Sequence, residues 1–407
     1  MAKLNIIDLF SGCGGLLDGF LQSNHYNSIA GIEWEKYPCE TLRKRLQKKW
    51  GHKNADKEVI LFDIQRTEEF LNGFSDDEYG NSEGLLNIIG KKSIDVIIGG
   101  PPCQAYSLAG RIRDPNGMRD DYRNYLFESY IEVLNAVKPR FFIFENVVGL
   151  LSAAPTGFPI TKIITKAFKE AGYIITPDLK TAVFDVADFG IPQHRKRVII
   201  LGVRSDVLEK EGNENLLYDF YNHYIPSFRT KIMTVQEALG DLPPFFPMEE
   251  PVKKNGVHYS HEPFSSEISN HIPRFHNKRD IGIFKFLAED IEFERYEYVS
   301  TEKLKELYTR LTGKKSNIHK YYVLRRNEPS NTIPAHLFKD GMRHIHPDSQ
   351  QARSITVREA ARLQTFDDDF VFEGPMMAQY KMIGNAVPPK FAKVIAEALY
   401  KLIQNIK

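Results

Sequence analysis

Cys103 is the residue of this chain that is best placed to act as a nucleophile. It follows the sequence Gly-Gly-Pro-Pro at the end of a short apolar run, 94–99, and so belongs to a loop rather than to an apolar stretch. The two prolines restrict the backbone before it and would present the thiol rigidly. A nucleophilic cysteine also needs a positive neighbour that favours the thiolate. The alternative interpretation is a small buried apolar residue, the usual role of a lone cysteine.

Three charged residues could transfer protons or stabilise developing charge beside such a nucleophile. Glu145 ends the apolar run 140–145, where its carboxyl group is a plausible proton donor, with helix capping as the alternative. Arg195 and Arg197 lead into a further apolar run, and the alternation of side chains along a strand sends both to one side. One of them could therefore point into a pocket and bind a carbonyl or a phosphate.

A glycine-rich turn follows the first apolar run. Its glycines are Gly12, Gly14 and Gly15, and a helix-like stretch begins directly after them. Such a turn lets the backbone approach a ligand, and the helix N-terminus offers free N–H groups. The spacing matches the dinucleotide fingerprint imperfectly, so on this motif alone an NAD site and a plain tight turn both stay open.

Acidic residues end the next two apolar runs. Glu33 stands about twenty positions after the glycine turn, where an acid accepts hydrogen bonds from a ribose diol. Trp34 could lie against an adenine face, and Asp63 could bind an exocyclic amine. Each acid alone is more often a helix cap, but together they favour an adenosine-type cofactor.

The elements that must position these residues alternate between strands and helices. Buried parallel strands are predicted at 4–8, 28–33, 58–62, 94–99, 140–145 and 197–202. Amphipathic helices are predicted between them at 14–23, 36–49, 123–138 and 159–171. This alternation predicts an α/β fold with a doubly wound, Rossmann-like sheet, in which ligands bind outside the carboxyl ends of the strands.

The pattern changes after residue 204. Residues 205–352 have proline-rich turns, nine of the twelve histidines and two basic stretches, 271–279 and 314–326. We predict a smaller second domain here, mostly irregular or β with some helices. Its histidines form no tight ligand cluster in the sequence, so we expect no metal site.

The C-terminal part returns to helical periodicity. Thr356 and Glu359 have the spacing of a capping box, and a long amphipathic helix is predicted at 388–403. The predicted domains are 1–204 plus 375–407, 205–352, and a hinge and helix block at 353–374 that links the two.

Composition excludes several classes of protein. Fifty-four basic and 53 acidic residues give a formal charge of +1, which excludes a polycation but allows a local basic groove. Three cysteines cannot make a disulfide framework, and no run approaches eighteen apolar residues. A reducing cytoplasm and no membrane association are therefore expected.

Six ordered sequence blocks carry a specific resemblance. They are DLFSGCGGL (8–16), GPPCQAYS (100–107), ENVVGL (145–150), QHRKRVIILG (193–202), RSITVREAARLQTF (353–366) and GNAVPP (384–389). In these blocks the chain resembles DNA cytosine-5 methyltransferases of the bacterial restriction–modification type. The unmatched segment 205–330 corresponds to the variable target-recognition region of that family.

The resemblance implies a role for each catalytic candidate. Cys103 would add to C6 of cytosine, Glu145 would contact N3 and the exocyclic amine, and Arg197 would hold O2, with Arg195 a less certain fourth member. C5 would then accept a methyl group from S-adenosylmethionine. Because a paired base hides its ring edges, the target cytosine should be flipped out of the duplex.

The resemblance also implies the binding residues. Those for S-adenosylmethionine are Phe10, Ser11, Gly12, Gly14, Gly15, Leu16, Glu33, Trp34, Asp63, Ile64, Pro101, Asn385 and Ala386. Those for DNA are Gln104, Ser107, Arg111 and Thr332. Arg358 and Glu359 are expected to be structural.

The expected partner is double-stranded DNA, bound by a monomer in the bacterial cytoplasm, with a cognate restriction endonuclease as a functional rather than physical partner. A tRNA cytosine-5 methyltransferase of the same family is the second enzyme hypothesis. A non-catalytic DNA-binding homologue is a third, and intact Cys103, Glu145 and Arg197 oppose it. An NAD oxidoreductase is the weakest hypothesis, because the blocks around Cys103 and Glu145 have no role in such an enzyme.

Overall fold

The computed structural model describes residues 2–102, 126–154, 159–211, 215–315, 317, 320–339 and 341–406. The chain divides into two compact units. Unit 1 comprises Met1–Phe189, Arg195–Lys231 and Ala386–Lys407, and unit 2 comprises Gly190–His194 and Ile232–Asn385. Within the described part of the chain, no helix is both long enough and apolar enough to cross a membrane.

The strands are β1 (Leu4–Leu9), β2 (Tyr26–Glu33), β3 (Val59–Leu61), β4 (Phe74–Asp76), β5 (Gly80–Ser82), β6 (Val96–Gly99), β7 (Phe141–Val147), β8 (Tyr173–Ile175), β9 (Val183–Asp185), β10 (Lys196–Arg204), β11 (Phe246–Lys254) and β12 (Val257–Glu262). The α-helices are α1 (Gly15–Gln22), α2 (Lys36–Trp50), α3 (Ala55–Glu58), α4 (Thr67–Asn72), α5 (Leu85–Ile89), α6 (Leu126–Val137), α7 (Ile160–Glu170), α8 (Ser205–Glu211), α9 (Leu216–Asp219), α10 (Val235–Leu239), α11 (Lys278–Glu292), α12 (Thr301–Thr312), α13 (Val357–Leu363), α14 (Met376–Asn385) and α15 (Pro389–Gln404).

Unit 1 is built on a mixed sheet in the order β3-β2-β1-β6-β7-β10-β8, with β9 also paired to β10. The five strands from β3 to β7 in this order are parallel, whereas β10 is antiparallel to its neighbours. All six apolar runs predicted as strands are strands, and the predicted α/β fold is confirmed. The prediction that 197–202 is a parallel strand is wrong, because β10 runs antiparallel to β7. The strand order reverses between β1 and β6, and such a switch point is where doubly wound sheets bind ligands.

The long C-terminal helix packs in unit 1, on α1. The hydroxyl of Tyr26 donates to the carbonyl of Ala396 at 2.8 Å, and the apolar face of α15 is buried. Gly19 of α1 allows the close approach, because a Cβ there would collide with the carbonyl oxygen of Pro389 and the Cβ of Ala392. The predicted helix at 388–403 is thus present, and it completes the core of unit 1.

Gly19→Ala should lower the free energy of unfolding by about 1–3 kcal/mol, because the added methyl group overpacks the contact between α1 and α15. Urea denaturation followed by circular dichroism measures the change. Gly282→Ala is the matched control, since a Cβ at this exposed position of α11 meets nothing within 4 Å. That change should be neutral or stabilising by up to about 1 kcal/mol. Equal losses for the two variants would contradict the packing explanation.

Residues 205–231 pack in unit 1, although the sequence analysis assigned them to the second domain. Tyr221 makes some of the contacts that hold this segment in unit 1. Its buried hydroxyl donates to the carbonyl of Ile199 at 3.0 Å and accepts from the N–H of Leu201 at 2.8 Å, both in β10. The segment after β10 is therefore tied back to that strand, and the division of the chain differs from the predicted boundary at residue 205.

Unit 2 contains the hairpin of β11 and β12 and a small apolar core between α11 and α12. It also includes all of residues 353–385, which were predicted as a hinge followed by the start of the returning catalytic segment. Gly384 explains part of this difference, because its backbone packs directly against the carbonyl of Pro334.

The block around α13 is the polar framework of unit 2. Thr356 and Glu359 form the predicted capping box. Buried Arg353 lies 2.6 Å from the carboxylate of Glu359, and fully buried Arg358 donates to backbone carbonyls that include those of Ser269 and Phe370. These contacts agree with the structural role expected for Arg358 and Glu359.

Candidate active site

The glycine turn after β1 has the backbone of a ligand-binding loop. Phe10, Gly12 and Gly14 have φ values of 59°, 56° and 91°, all in the left-handed region. Ser11 holds the turn, since its N–H donates to the carbonyl of Ile32 and its hydroxyl to that of Asp8. A Cβ at Gly12 would meet nothing within 4 Å, so the space beside this residue is open. The turn is followed directly by α1, whose first two residues are Gly15 and Leu16.

Glu33 joins this turn to the end of β2. Its two carboxylate oxygens accept hydrogen bonds from the N–H groups of Gly12 and Glu35, each at 2.8 Å. Burial raises the pKa of Glu33 to about 7. Trp34, the next residue, is 47% exposed and has the surface that stacking against a flat ligand requires. Glu33 and the open side of Gly12 therefore lie at one edge of the sheet.

Asp8 and the end of β3 complete this edge. Asp8 is 1% exposed, and its Oδ2 atom is buried without a hydrogen-bond partner; burial also raises the pKa of this carboxyl group. The N–H of Phe62 donates to the carbonyl of Glu33 at 3.0 Å, so the end of β3 lies beside that of β2. Asp63 accepts from the N–H of Gln65 at 3.0 Å, and Ile64 is buried. The predicted cofactor residues of the first three strands are thus neighbours.

Glu145 and Arg197 form an ion pair on adjacent strands. Arg197 Nε lies 2.8 Å from Glu145 Oε1, and each side chain is 12% exposed. In the antiparallel register Glu145 faces Ile199 and Arg197 faces Val147, so the pair is diagonal across β7 and β10. A diagonal pair of long side chains on one face of a sheet is within reach of a shared ligand.

The loop that leads to Cys103 lies against this ion pair. A Cβ at Gly100 would be 2.7 Å from Glu145 Oε2, so a side chain here would require the carboxylate to move from its present position beside Arg197. The side-chain amide of Asn146 donates to the carbonyl of Pro101 at 3.4 Å. Cys103 itself lies outside the described residues, as do Gln104, Ser107 and Arg111.

Arg195 has different surroundings from Arg197. It is 2% exposed, its Nη2 donates to the carbonyl of Ala386 at 3.0 Å, and its N–H donates to Asp185 Oδ1. Burial and the charge of Arg197 hold the pKa of the Arg195 guanidinium below its usual range. These hydrogen bonds join Arg195 to other segments of unit 1, one of them through the backbone carbonyl of Ala386.

The remaining predicted residues, Thr332 and Asn385, belong to unit 2. Thr332 donates through its hydroxyl to the carbonyl of His194 at 2.7 Å, and Asn385 is exposed at the end of α14. Sequence reasoning missed Gln193, whose buried side chain accepts from the N–H of Ile333 and donates to Gln364. It also missed Asp8 and Gly100 as site residues, although both stand in quoted blocks.

Comparisons with known proteins identify the family and several relatives of this chain. The family described as C-5 cytosine-specific DNA methylase matches residues 4–401. The Type II methyltransferase M.Bpa9945I of Bacillus paralicheniformis is 33% identical, over 98% of this chain and 99% of the relative. The Type II methyltransferase M1.HphI of Haemophilus parahaemolyticus is 31% identical, over 99% of this chain and 88% of the relative.

Two solved structures share the fold. A DNA modification methyltransferase encoded within a prophage of E. coli superposes with a TM-score of 0.64 at 23% identity, covering 99% of this chain and all of that one. The Dnmt2 methyltransferase of S. pombe gives a TM-score of 0.55 at 14% identity, covering 99% of each chain. With its family match over nearly the whole length and the paired groups of β7 and β10 in place, this chain belongs to the C-5 cytosine-specific DNA methylases.

Proposed function

We propose that this DNA cytosine methyltransferase transfers a methyl group from S-adenosylmethionine to C5 of a cytosine flipped out of duplex DNA, through a covalent bond between Cys103 and C6. The observation that carries the proposal is the ion pair of Glu145 and Arg197 beside Gly100. O2 of cytosine is bonded to C2, the ring atom next to N3, so a carboxyl group and a guanidinium held this close together suit that edge of the ring.

The residues at the ends of β1, β2 and β3 fit S-adenosylmethionine. Glu33 would accept hydrogen bonds from the ribose hydroxyls, and exposed Trp34 would lie beside the adenine, with Asp63 at its amine. Open space at Gly12 leaves the loop backbone free to approach the cofactor. When bound, S-adenosylmethionine supplies the electrophilic methyl group.

Side chains of this protein would stabilise the charges that develop during the reaction. The Cys103 thiolate adds to C6, which breaks the conjugation of the ring and makes C5 nucleophilic. Glu145 donates a proton to N3 as negative charge develops there, and Arg197 donates hydrogen bonds to O2. These contacts strengthen along the reaction path and therefore lower its barrier. After methylation, loss of the C5 proton to water restores the double bond and expels the Cys103 sulfur as a thiolate, and N3 returns its proton to Glu145.

The type II relatives favour a role in a restriction–modification system, with a cognate endonuclease as the functional partner. We expect the enzyme to act as a monomer in the bacterial cytoplasm. A tRNA methyltransferase with the same chemistry is the second candidate. Bisulfite sequencing of a plasmid expressed with the protein tests the proposal and should reveal one methylated sequence word. Transfer of tritium from labelled S-adenosylmethionine to tRNA but not to duplex DNA would overturn it.

The pKa of Glu33 makes cofactor affinity depend on pH. The ionised carboxylate accepts ribose hydrogen bonds and the protonated form loses acceptor capacity, so affinity should rise as pH rises through about 7. Linkage then predicts that the Kd for S-adenosylmethionine is about tenfold higher at pH 6 than at pH 8. Isothermal titration calorimetry measures this ratio. Glu33→Gln should bind more weakly with a flatter pH profile, and an unchanged profile would assign the effect to another group.

A further inference from the structure

Gln193 is a fully buried glutamine that takes no direct part in the proposed chemistry. It lies in the short segment of unit 2 that leads into β10, and this segment is held by Ser330, whose carbonyl accepts from the N–H of His194 at 2.9 Å. Side chains alternate along the segment, so His194 is exposed whereas Gln193 is not. The alternation turns the amide of Gln193 into the interior, where a polar group must be hydrogen-bonded.

Both ends of the Gln193 amide have partners. Its Oε1 accepts from the N–H of Ile333 at 3.0 Å, and its Nε2 donates to the carbonyl of Leu363 at 3.3 Å and to Gln364 Oε1 at 3.0 Å. Gln364 is also fully buried and directly follows α13, and its own Nε2 donates to the carbonyl of Ile383 at 2.7 Å. The hydrogen bonds that lead from Ile333 through both glutamines to Ile383 form what we term the amide relay.

The amide relay can be assembled in one direction only. A backbone N–H can only donate and a backbone carbonyl can only accept, so the Ile333 end requires an amide oxygen and the Ile383 end requires an amide nitrogen. Turning either amide over would bring donor against donor or acceptor against acceptor in a buried place, at the full cost of unpaired polar groups. The two ends are therefore held relative to each other by specific hydrogen bonds as well as by packing.

Each end of the amide relay lies next to a residue that is expected in the site. Ile333 follows Thr332, which is expected at the DNA, and Ile383 lies two residues before Asn385, which is expected at the cofactor. Thr332 and Asn385 are both exposed, so their side chains are accessible to ligands. The relay therefore connects the backbone of a target segment to the backbone of a cofactor segment, both within unit 2.

The Ile383 end of the amide relay also stabilises the end of α14. Ile383 is in the last turn of this helix, where backbone carbonyls have no partner within the helix. Gln364 satisfies this carbonyl from outside the helix. The next residue, Gly384, packs so closely that a Cβ there would lie 2.3 Å from the carbonyl oxygen of Pro334. Because Pro334 directly follows Ile333, the two ends of the relay are also close in space.

We propose that Gln193 and Gln364 are positioning residues for methyl transfer. Their relay holds the target segment, at Thr332, in register with the cofactor segment, at Asn385. Transfer requires the methyl donor and C5 of cytosine to be aligned, and a misplacement of about 1 Å costs on the order of 10²-fold in rate. Neither glutamine is exposed, so both act through the backbone of these two segments. This inference rests on the proposed function and adds to it two residues that position its ligands.

The test replaces each glutamine by methionine, which keeps the length of the side chain but has no amide. Gln364→Met removes the donor to Ile383, so the Kd for S-adenosylmethionine should rise about 2- to 10-fold, the equivalent of one neutral hydrogen bond, while the Kd for DNA stays unchanged. Gln193→Met interrupts the relay in the middle. It should lower the single-turnover rate at saturating cofactor and duplex DNA by up to about 10²-fold.

Gln379→Met is the matched control. Gln379 also lies on α14 and donates to two backbone carbonyls, but it is outside the amide relay. This variant should keep the wild-type Kd and the wild-type rate. If it loses as much as the two relay variants do, any change in this helix impairs the enzyme and the proposal is wrong.

A double variant tests whether the two glutamines act as one unit. Gln193→Met combined with Gln364→Met should be no slower than Gln193→Met alone, because both changes interrupt one chain of hydrogen bonds. Losses that multiply would mean that the glutamines act separately, which would overturn the relay.

Thermal unfolding followed by circular dichroism shows whether each variant is folded at the assay temperature. If the relay variants are only less stable to heat and keep the wild-type Kd and rate at that temperature, both glutamines are purely structural and the proposal is wrong. If Gln193→Met does not fold, the Kd of Gln364→Met for S-adenosylmethionine decides. A wild-type protein that methylates no DNA would refute the proposed function, and that same Kd would then decide on the relay.

Discussion

Cys103→Ala is expected to abolish methyl transfer, with a loss of rate on the order of 10⁶-fold, as when the nucleophile of a covalent mechanism is removed. Without the sulfur, C6 has no partner, and C5 stays an unreactive carbon of an aromatic ring. Tritium transfer from labelled S-adenosylmethionine to duplex DNA measures the rate. The binding of DNA should persist, because phosphate contacts supply most of the affinity.

A trapping experiment identifies the nucleophile directly. With 5-fluorocytosine at the target, C5 has no proton to lose after methylation, so the sulfur cannot be expelled and a covalent complex accumulates. The wild-type protein should form this complex and Cys103→Ala should not. Cys39→Ala is the matched control, because Cys39 is fully buried and burial raises the pKa of its thiol to about 12. A complex that survives in Cys103→Ala would mean that another residue attacks C6.

Glu145→Gln is expected to lower the rate of transfer by about 10²- to 10⁴-fold, the usual contribution of a positioned general acid. Glutamine preserves the shape of the side chain next to Gly100 but cannot donate a proton to N3. Single-turnover kinetics with saturating DNA measures the loss in the chemical step. Glu170→Gln, which removes a carboxylate from an exposed pair with Lys166, should leave the rate unchanged.

The partner of Glu145 offers a further check on this assignment. Because Glu145 and Arg197 are in contact and would act on one ring, their effects should not add. The double variant with Arg197→Gln should therefore be less impaired than the product of the two single losses. Full additivity would mean that the two side chains act independently. A wild-type rate for Glu145→Gln would place the proton donor elsewhere.

Much of the fold could be predicted from local patterns. Buried strands are continuous apolar runs, and each of the six predicted runs is a strand, although β10 is antiparallel rather than parallel. The short strands β8 and β9 and the hairpin of β4 and β5 were not predicted, because three residues are too few to show a period. β3 is equally short, but it lies within the longer apolar run 58–62, which made it recognisable. The predicted boundary at residue 205 differs from the structure because long-range contacts such as those of Tyr221 with β10 are invisible in a sequence.

The sequence by itself determined which residues are available for chemistry: a cysteine after two prolines, an acid after an apolar strand, and glycines at a turn. These are properties of neighbours along the chain. Only the tertiary structure decided that Glu145 and Arg197 meet and that Glu33 accepts from the glycine turn. The physical reason is that pairing and burial depend on how strands are ordered and segments packed, and both depend on contacts between residues far apart in the chain.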